Sequence, residues 1–128
     1  MSALRQSGGV LRDGSEGSQA WVARLEPHDG ATGVFRDSAV LARLTHPVEP
    51  TSASARSFIV EDPEGPVPGR VSLSADGLIL VWHPVKTMKP GVPHFVVISG
   101  LRDAAGRAMR PHLSRFVTGW LLWEDVSG

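Results

Sequence analysis

The sequence has no cysteine and no tyrosine, and its charges cancel. Without cysteine the chain has no disulfide, no thiolate metal site and no thiol nucleophile. Thirteen Lys and Arg residues balance thirteen Asp and Glu residues, which argues against nucleic acid and anionic membranes as partners because both attract a basic excess. No window approaches the roughly 20 apolar residues that span a bilayer. The 128 residues are therefore expected to form one domain that does not cross a membrane.

The first twenty residues also lack a long apolar run. Residues 1–19 are rich in glycine, serine and charge, which predicts a flexible N-terminal tail. A secretory signal has about 7–15 consecutive apolar residues in its middle, and none is found here. We therefore expect a cytoplasmic protein whose ordered part begins near residue 20.

From Trp21 onward, short apolar runs alternate with turn residues. Fourteen glycines and ten prolines punctuate the chain, and no stretch keeps a helical period for three turns. The runs predict strands over residues 21–25, 38–44, 56–60, 70–74, 78–82, 95–98 and 113–118. This pattern indicates an all-β, antiparallel sandwich of about seven to eight strands. The wholly apolar run 78–82 is predicted to be central and covered on both faces, with Trp82 in the core.

Several short motifs resemble bacterial Ig-like domains of the SbsA type, in the same order and at similar spacing. Residues 27–34 (PHDGATGV) resemble the family's P-x-D-G-A-T-G-V opening, and residues 69–77 resemble its G-x-V-S-x-S-x-D-G hairpin. Residues 99–109 resemble S-G-V-x-D-x-A-G-N-x-L, and residues 115–119 resemble the closing F-x-F-x-T-G. The resemblance covers about residues 20–119 and implies an Ig-like β-sandwich.

The resemblance has further implications. Members of this family are mostly repeated modules of exported or cell-surface proteins, which differs from the cytoplasmic location expected above. The family usually has a tyrosine before its penultimate strand, and this chain has His94 there. In Ig-like folds such a tyrosine ties a corner with a hydroxyl hydrogen bond.

No local pattern of catalytic or metal-binding residues is present. The five histidines include no H-x-H, H-x-x-H or H-E-x-x-H pair, and the chain has no G-x-S-x-G or phosphate-binding loop. Residues 61–64 (EDPE) place three carboxylates together, which suits either a solvated loop or weak calcium binding. Asp103 is predicted to cap its turn by accepting backbone N–H groups. We predict a protein that is not an enzyme and that has no cofactor and no resident metal.

The end of the chain is unusually apolar. Trp120, Leu121, Leu122 and Trp123 follow Gly119, where the resembled domain normally ends. Residues 120–128 are therefore predicted to be an extension of the sandwich. Two interpretations stay open: the last strand continues and covers its own domain, or the four side chains dock onto a partner protein. Trp21 is a further candidate, as an aromatic at the rim of the sandwich.

These observations favour a non-catalytic structural or adaptor module. It would mediate protein–protein interaction in a larger assembly or by self-association. Two alternatives remain: a polysaccharide-binding accessory module that uses exposed tryptophans, and a decoration subunit of a virion or a surface layer. A glycan partner is the less favoured of the partner classes.

Overall fold

Alternating apolar side chains give each sheet one buried face, and the two faces pack against each other. The computed structural model describes residues 21–127, and it contains nine strands in that range. They are β1 (Val22–Glu26), β2 (Ala31–Val34), β3 (Val40–Leu44), β4 (Phe58–Asp62), β5 (Gly65–Pro66), β6 (Gly69–Leu73), β7 (Ile79–Pro84), β8 (Pro93–Ile98) and β9 (His112–Thr118). A 3-10 turn covers Pro50–Ser52, and a short helix, α1, covers Trp123–Ser127. The predicted tail, residues 1–19, lies outside the described residues.

The strands form a four-stranded sheet of order β1-β3-β7-β6 and a five-stranded sheet of order β2-β9-β8-β4-β5. All neighbouring strands are antiparallel except β2 and β9, which run parallel. This is the predicted Ig-like β-sandwich. The expected count of seven to eight strands was too low because β2 and β5 escaped prediction. They have four and two residues, too few to display a period of two.

The core lies between the two sheets. Its largest fully buried side chains are Trp82, Phe58, Phe116, Leu80, Met88, Ile98 and Leu101. Trp82 is therefore a core residue, as predicted. Strand β7 is interior to its sheet, but the expectation that both its faces are covered was wrong. Leu80 and Trp82 are buried, whereas Ile79 and Val81 on the other face are only half-buried.

Trp21 is a buried residue, so its prediction as a rim aromatic was wrong. Only 2% of its surface is exposed, and its ring lies 5.1 Å from that of His46. Its backbone carbonyl accepts the N–H of Thr45 at 2.7 Å, which extends the pairing of β1 with β3. Because the backbone is held against β3 at this point, the indole turns inward and closes one end of the core.

The predicted cap in the 103–107 loop is confirmed. Asp103 Oδ1 accepts the backbone N–H groups of Ala105 and Arg107 at 3.0 and 2.9 Å. Its Oδ2 pairs with Nε of Arg107 at 2.7 Å. Burial raises the pKa of Asp103, but these hydrogen bonds and the guanidinium outweigh it, so the pKa lies below its ordinary value.

Candidate functional site

The C-terminal segment, residues 119–127, is fastened to its own domain by backbone hydrogen bonds. The N–H of Gly119 donates to the carbonyl of Val34 at 2.8 Å, and the N–H of Arg36 donates to the carbonyl of Leu121 at 3.0 Å. These bonds continue the parallel course of β2 and β9. The segment therefore follows residues 34–37 along one edge of the sandwich.

A close approach of two backbones makes this path possible. A Cβ atom on Gly119 would lie 3.1 Å from Cα of Gly33, which is tighter than ordinary carbon–carbon contact. Both positions are glycine, so the two chains pass without a clash. The family-like motifs that end at residue 119 thus end where the backbone needs a glycine.

Beyond this crossing the segment forms helix α1. Asp37 Oδ1 accepts the N–H of Trp123 at 2.8 Å, and Oδ2 accepts the N–H of Glu124 at 3.3 Å. Glu124 and Asp125 occupy the first turn of the helix, where carboxylates favour helix formation. The interpretation that the last strand continues was therefore wrong: β9 ends at Thr118. In the sequence, only Glu124 and Asp125 indicated a helix here. Asp37, which caps the helix, is 86 residues from Trp123, so the local sequence could not reveal it.

Although its backbone is fixed, the segment leaves most of its apolar side chains at the surface. Trp120 is 74% exposed, Leu121 57% and Trp123 56%. Leu122 is half-buried. The ring of Trp123 packs edge-on against that of Phe35, with ring centroids 5.3 Å apart. The structure thus brings the four predicted residues together, but it leaves three of them exposed.

The acidic loop 61–64 has a different arrangement from the one that calcium binding requires. Asp62 Oδ1 accepts the N–H of Glu64 at 2.7 Å, and Lys89 pairs with Glu64 and lies 3.9 Å from Asp62. The bond to Glu64 raises the pKa of Lys89. Within residues 21–127 there is no group of three or more His, Asp or Glu side chains placed to hold a metal ion. In the same range, no helix is long and apolar enough to cross a membrane.

His94 occupies the position where the resembled family has tyrosine, and it is a core residue. It has no exposed surface and stacks on Phe116 with centroids 5.2 Å apart. Its Nδ1 lies 3.1 Å from the carbonyl oxygen of Val92, whereas its Nε2 has no hydrogen-bond partner among residues 21–127. Burial lowers the pKa of His94, which favours the neutral ring. Like the hydroxyl of a corner tyrosine, the imidazole contacts a backbone carbonyl, but that carbonyl belongs to Val92, only two residues away.

One surface was missed by the sequence-based predictions. Phe95 is 43% exposed and Leu113 is 70% exposed, and both lie on the outer face of the five-stranded sheet. The run 95–98 is apolar throughout, so its periodicity did not reveal which side chains face outward. The buried neighbours His94 and Val96 settle the direction of Phe95.

No known protein family matches the sequence, and no curated protein matches it. Solved structures do match. The N-terminal part of the bacterial S-layer protein SbsC is 22% identical with a TM-score of 0.57, over 72% of this chain and 23% of that one. CopC from Methylosinus trichosporium OB3b is 16% identical with a TM-score of 0.65, over 79% and 94%. An L,D-transpeptidase from Mycobacterium smegmatis is 21% identical with a TM-score of 0.55, over 80% and 41%.

The likeness is one of fold. The three structures share the sandwich with this chain at low identity, and an S-layer domain is among them. The chain spans about a quarter of the length of the S-layer fragment and less than half of the transpeptidase. The same sandwich is thus one part of longer chains in two of the three proteins.

Proposed function

We propose that this chain is a non-catalytic structural module that binds another protein through Trp120, Leu121 and Trp123. The observation that carries the proposal is the combination of exposed side chains and a fixed backbone. A disordered apolar tail would lose conformational entropy on binding. Here the bonds from Val34, Arg36 and Asp37 already hold the segment, so most of that loss has occurred before the partner arrives.

The chemistry of the segment defines the kind of partner. Tryptophan is enriched among the residues that dominate binding energy at interfaces, and such residues are surrounded by a polar rim. Glu124 and Asp125 are exposed beside the apolar side chains and supply an acidic rim. The partner should therefore present an apolar pocket bordered by lysine or arginine side chains.

The solved structures support a modular, structural role without specifying it. In the S-layer protein the corresponding domain belongs to a longer chain, and we propose that this chain likewise contributes one module to an assembly. A role at a surface layer would place it outside the cell, against the cytoplasmic location expected from residues 1–20. The lack of nucleophile and phosphate-loop motifs in the sequence supports a non-enzymatic role.

The experiment is a comparison of partner binding by matched variants of the full chain. Partners captured by the wild-type protein from its native host are identified, purified and titrated by calorimetry. Trp120→Ser and Trp123→Ser remove one exposed indole each. Val85→Ser is the control because Val85 is 52% exposed and directly follows β7 of the four-stranded sheet, whereas the segment follows β9 of the other sheet.

Each tryptophan variant should weaken binding by about 2 kcal/mol, or about 30-fold, while Val85→Ser should bind as the wild type does. Equal affinity of all three variants, with unchanged circular dichroism, would contradict the proposal. The polysaccharide alternative has a separate readout, since Trp120 and Trp123 would then act as a sugar platform. The polysaccharide alternative would be favoured if one member of a glycan panel quenched the tryptophan fluorescence and the protein partner did not change it.

A further inference from the structure

The outer face of the five-stranded sheet is apolar at its centre. Exposed sheet faces are normally polar, yet the exposed fraction of Phe95 is 43% and that of Leu113 is 70%. These residues lie on β8 and β9, neighbouring strands in the middle of the sheet. By alternation, the outward-facing residues of β4, β8 and β9 are Ile59, Glu61, Pro93, Phe95, Val97, Leu113, Arg115 and Val117.

The strand register arranges three of these residues in a charged row. Glu61 is the cross-strand partner of Phe95, and Phe95 is the partner of Arg115. Neighbouring strands are about 4.8 Å apart, so an anion and a cation stand on opposite sides of one aromatic ring. The guanidinium carbon of Arg115 lies 5.9 Å from the ring centroid of Phe95, which is within cation–π range. Neither Glu61 nor Arg115 has an ion-pair partner among residues 21–127.

A second, apolar row lies beside the first. Ile59 is the partner of Val97, and Val97 is the partner of Leu113. The central members of both rows, Phe95 and Val97, belong to β8, which is the middle strand of the five. The face is therefore organised about the line of β8, with residues of β4 on one side and residues of β9 on the other.

We propose that this face binds a second copy of the chain about a two-fold axis parallel to β8. Such an axis, lying between two facing sheets, places β4 of one copy opposite β9 of the other. Glu61 then faces Arg115 of the second copy, and Arg115 faces its Glu61. Phe95 meets Phe95, and Ile59 meets Leu113, so the interface has an apolar centre and two equivalent ion pairs.

The charges select this axis over the other simple choice. A two-fold axis perpendicular to β8 within the same plane, along the charged row, would place Glu61 against Glu61 and Arg115 against Arg115. Like charges in contact across an interface cost several kcal/mol in general. Among the outward-facing residues of β4, β8 and β9, Glu61 is the anion and Arg115 is the cation, so on these strands two copies also meet without net repulsion.

This dimer goes beyond the proposed function because it uses a different surface from residues 120–123. Separate variants test the dimer and the binding of the other protein. Trp120→Ser and Trp123→Ser should leave the dimer unchanged, and variants of Glu61 and Arg115 should leave binding of the other protein unchanged.

The experiment measures the mass of the full chain by sedimentation over a concentration series. The wild type should approach twice its 13.7 kDa as concentration rises. Glu61→Lys and Arg115→Glu each place like charges together at both symmetric contacts, so each should weaken the dimer at least about tenfold. Glu26→Lys is the control, since Glu26 is an exposed residue of β1 in the other sheet, and it should dimerise as the wild type does.

Rescue separates a lost interface from a lost fold. A mixture of the E61K and R115E proteins should form a heterodimer, because one copy offers two cations and the other offers two carboxylates. The double variant E61K/R115E should also dimerise again. A wild-type chain that stays monomeric into the sub-millimolar range would overturn the proposal, whether the face is then covered by another segment or is exposed to solvent. Dimerisation that both reversals leave intact, or that mixing fails to restore, would overturn it as well.

Discussion

The carboxylate of Asp37 accepts the backbone N–H of Trp123 at 2.8 Å, across 86 residues of sequence. It lies where a helix has unpaired N–H groups, and it also accepts the N–H of Glu124. A residue in the loop after β2 therefore determines where the C-terminal helix begins. Together with the backbone bonds at Gly119 and Leu121, this bond holds the backbone of the exposed tryptophans.

Replacement of Asp37 by alanine should release helix α1 while leaving the sandwich intact. Loss of a helix cap costs about 0.5–2 kcal/mol, and in a terminal helix of five residues this loss is local. Hydrogen exchange of the 120–127 peptide should accelerate, and the free energy of global unfolding should change by less than about 1 kcal/mol. Glu26→Ala, which removes an exposed carboxylate of β1 in the other sheet, should leave the exchange rate close to wild type. Unchanged exchange in the Asp37 variant would show that the segment is held by other contacts.

Gly69 should tolerate no side chain because the indole of Trp82 lies directly against it. A Cβ atom at Gly69 would overlap Nε1 and Cε2 of Trp82, and Trp82 is only 2% exposed. Gly69→Ala should therefore lower the free energy of unfolding by about 1–3 kcal/mol, measured by urea denaturation. Ser72→Ala on the same strand is the control and should have little effect, because Ser72 is exposed. The double variant G69A/W82F should be less destabilised than the sum of its parts; strict additivity would argue against the contact.

His94 should make folding stability depend on pH. Because burial lowers the pKa of His94 below its ordinary value of 6.5, the unfolded chain binds the proton more readily than the folded chain. The stabilising contribution is then complete above pH 6.5 and declines as the pH falls through the folded-state pKa. Urea denaturation at pH 7.5 and pH 5 should show a larger loss for the wild type than for His94→Phe. Parallel losses in the two proteins would contradict a buried, neutral His94.

Asp103 should contribute to stability through its backbone hydrogen bonds. Asp103→Ala leaves the N–H groups of Ala105 and Arg107 without their acceptor, which should lower the free energy of unfolding. Asp103→Asn keeps one acceptor oxygen and should lose less. Because the pKa of Asp103 is lowered from 3.8, its contribution is present above pH 3.8 and disappears as the pH falls through the folded-state pKa. Equal stability of the alanine and asparagine variants at pH 7 would argue against this account.

Most of the fold was predictable because strands and turns are local features. The run 38–44 predicted a strand, and residues 69–77 resemble a hairpin motif. Strand β3 and the turn between β6 and β7 lie at these positions. The predicted cap at Asp103 is likewise a bond between residues close in sequence. Strands β2 and β5 were not predicted because neither has an alternating apolar pattern of its own. Strand β2 is defined by its pairing with the distant β9, and β5 by its pairing with β4.

The candidate site was predictable in part. Its four residues stand out by composition, since Trp120 and Trp123 follow the point where the family-like motifs stop. Their conformation was not predictable, because it depends on bonds from Val34, Arg36 and Asp37. Trp21 was assigned to the rim because sequence position says little about which way the first side chain of a strand points. Its direction follows from pairing with Thr45, a non-local contact.

The sequence by itself determined that this chain is a β-sandwich with an apolar segment after residue 119, because strand period, turn residues and composition are written locally. Only the tertiary structure decided which apolar side chains stay exposed. It buried Trp21 against His46 and held the backbone of 119–124 while leaving Trp120 and Trp123 at the surface. It also brought Glu61, Phe95 and Arg115 into one row. Exposure and such rows are properties of strand order and register, which residues distant in the sequence establish together.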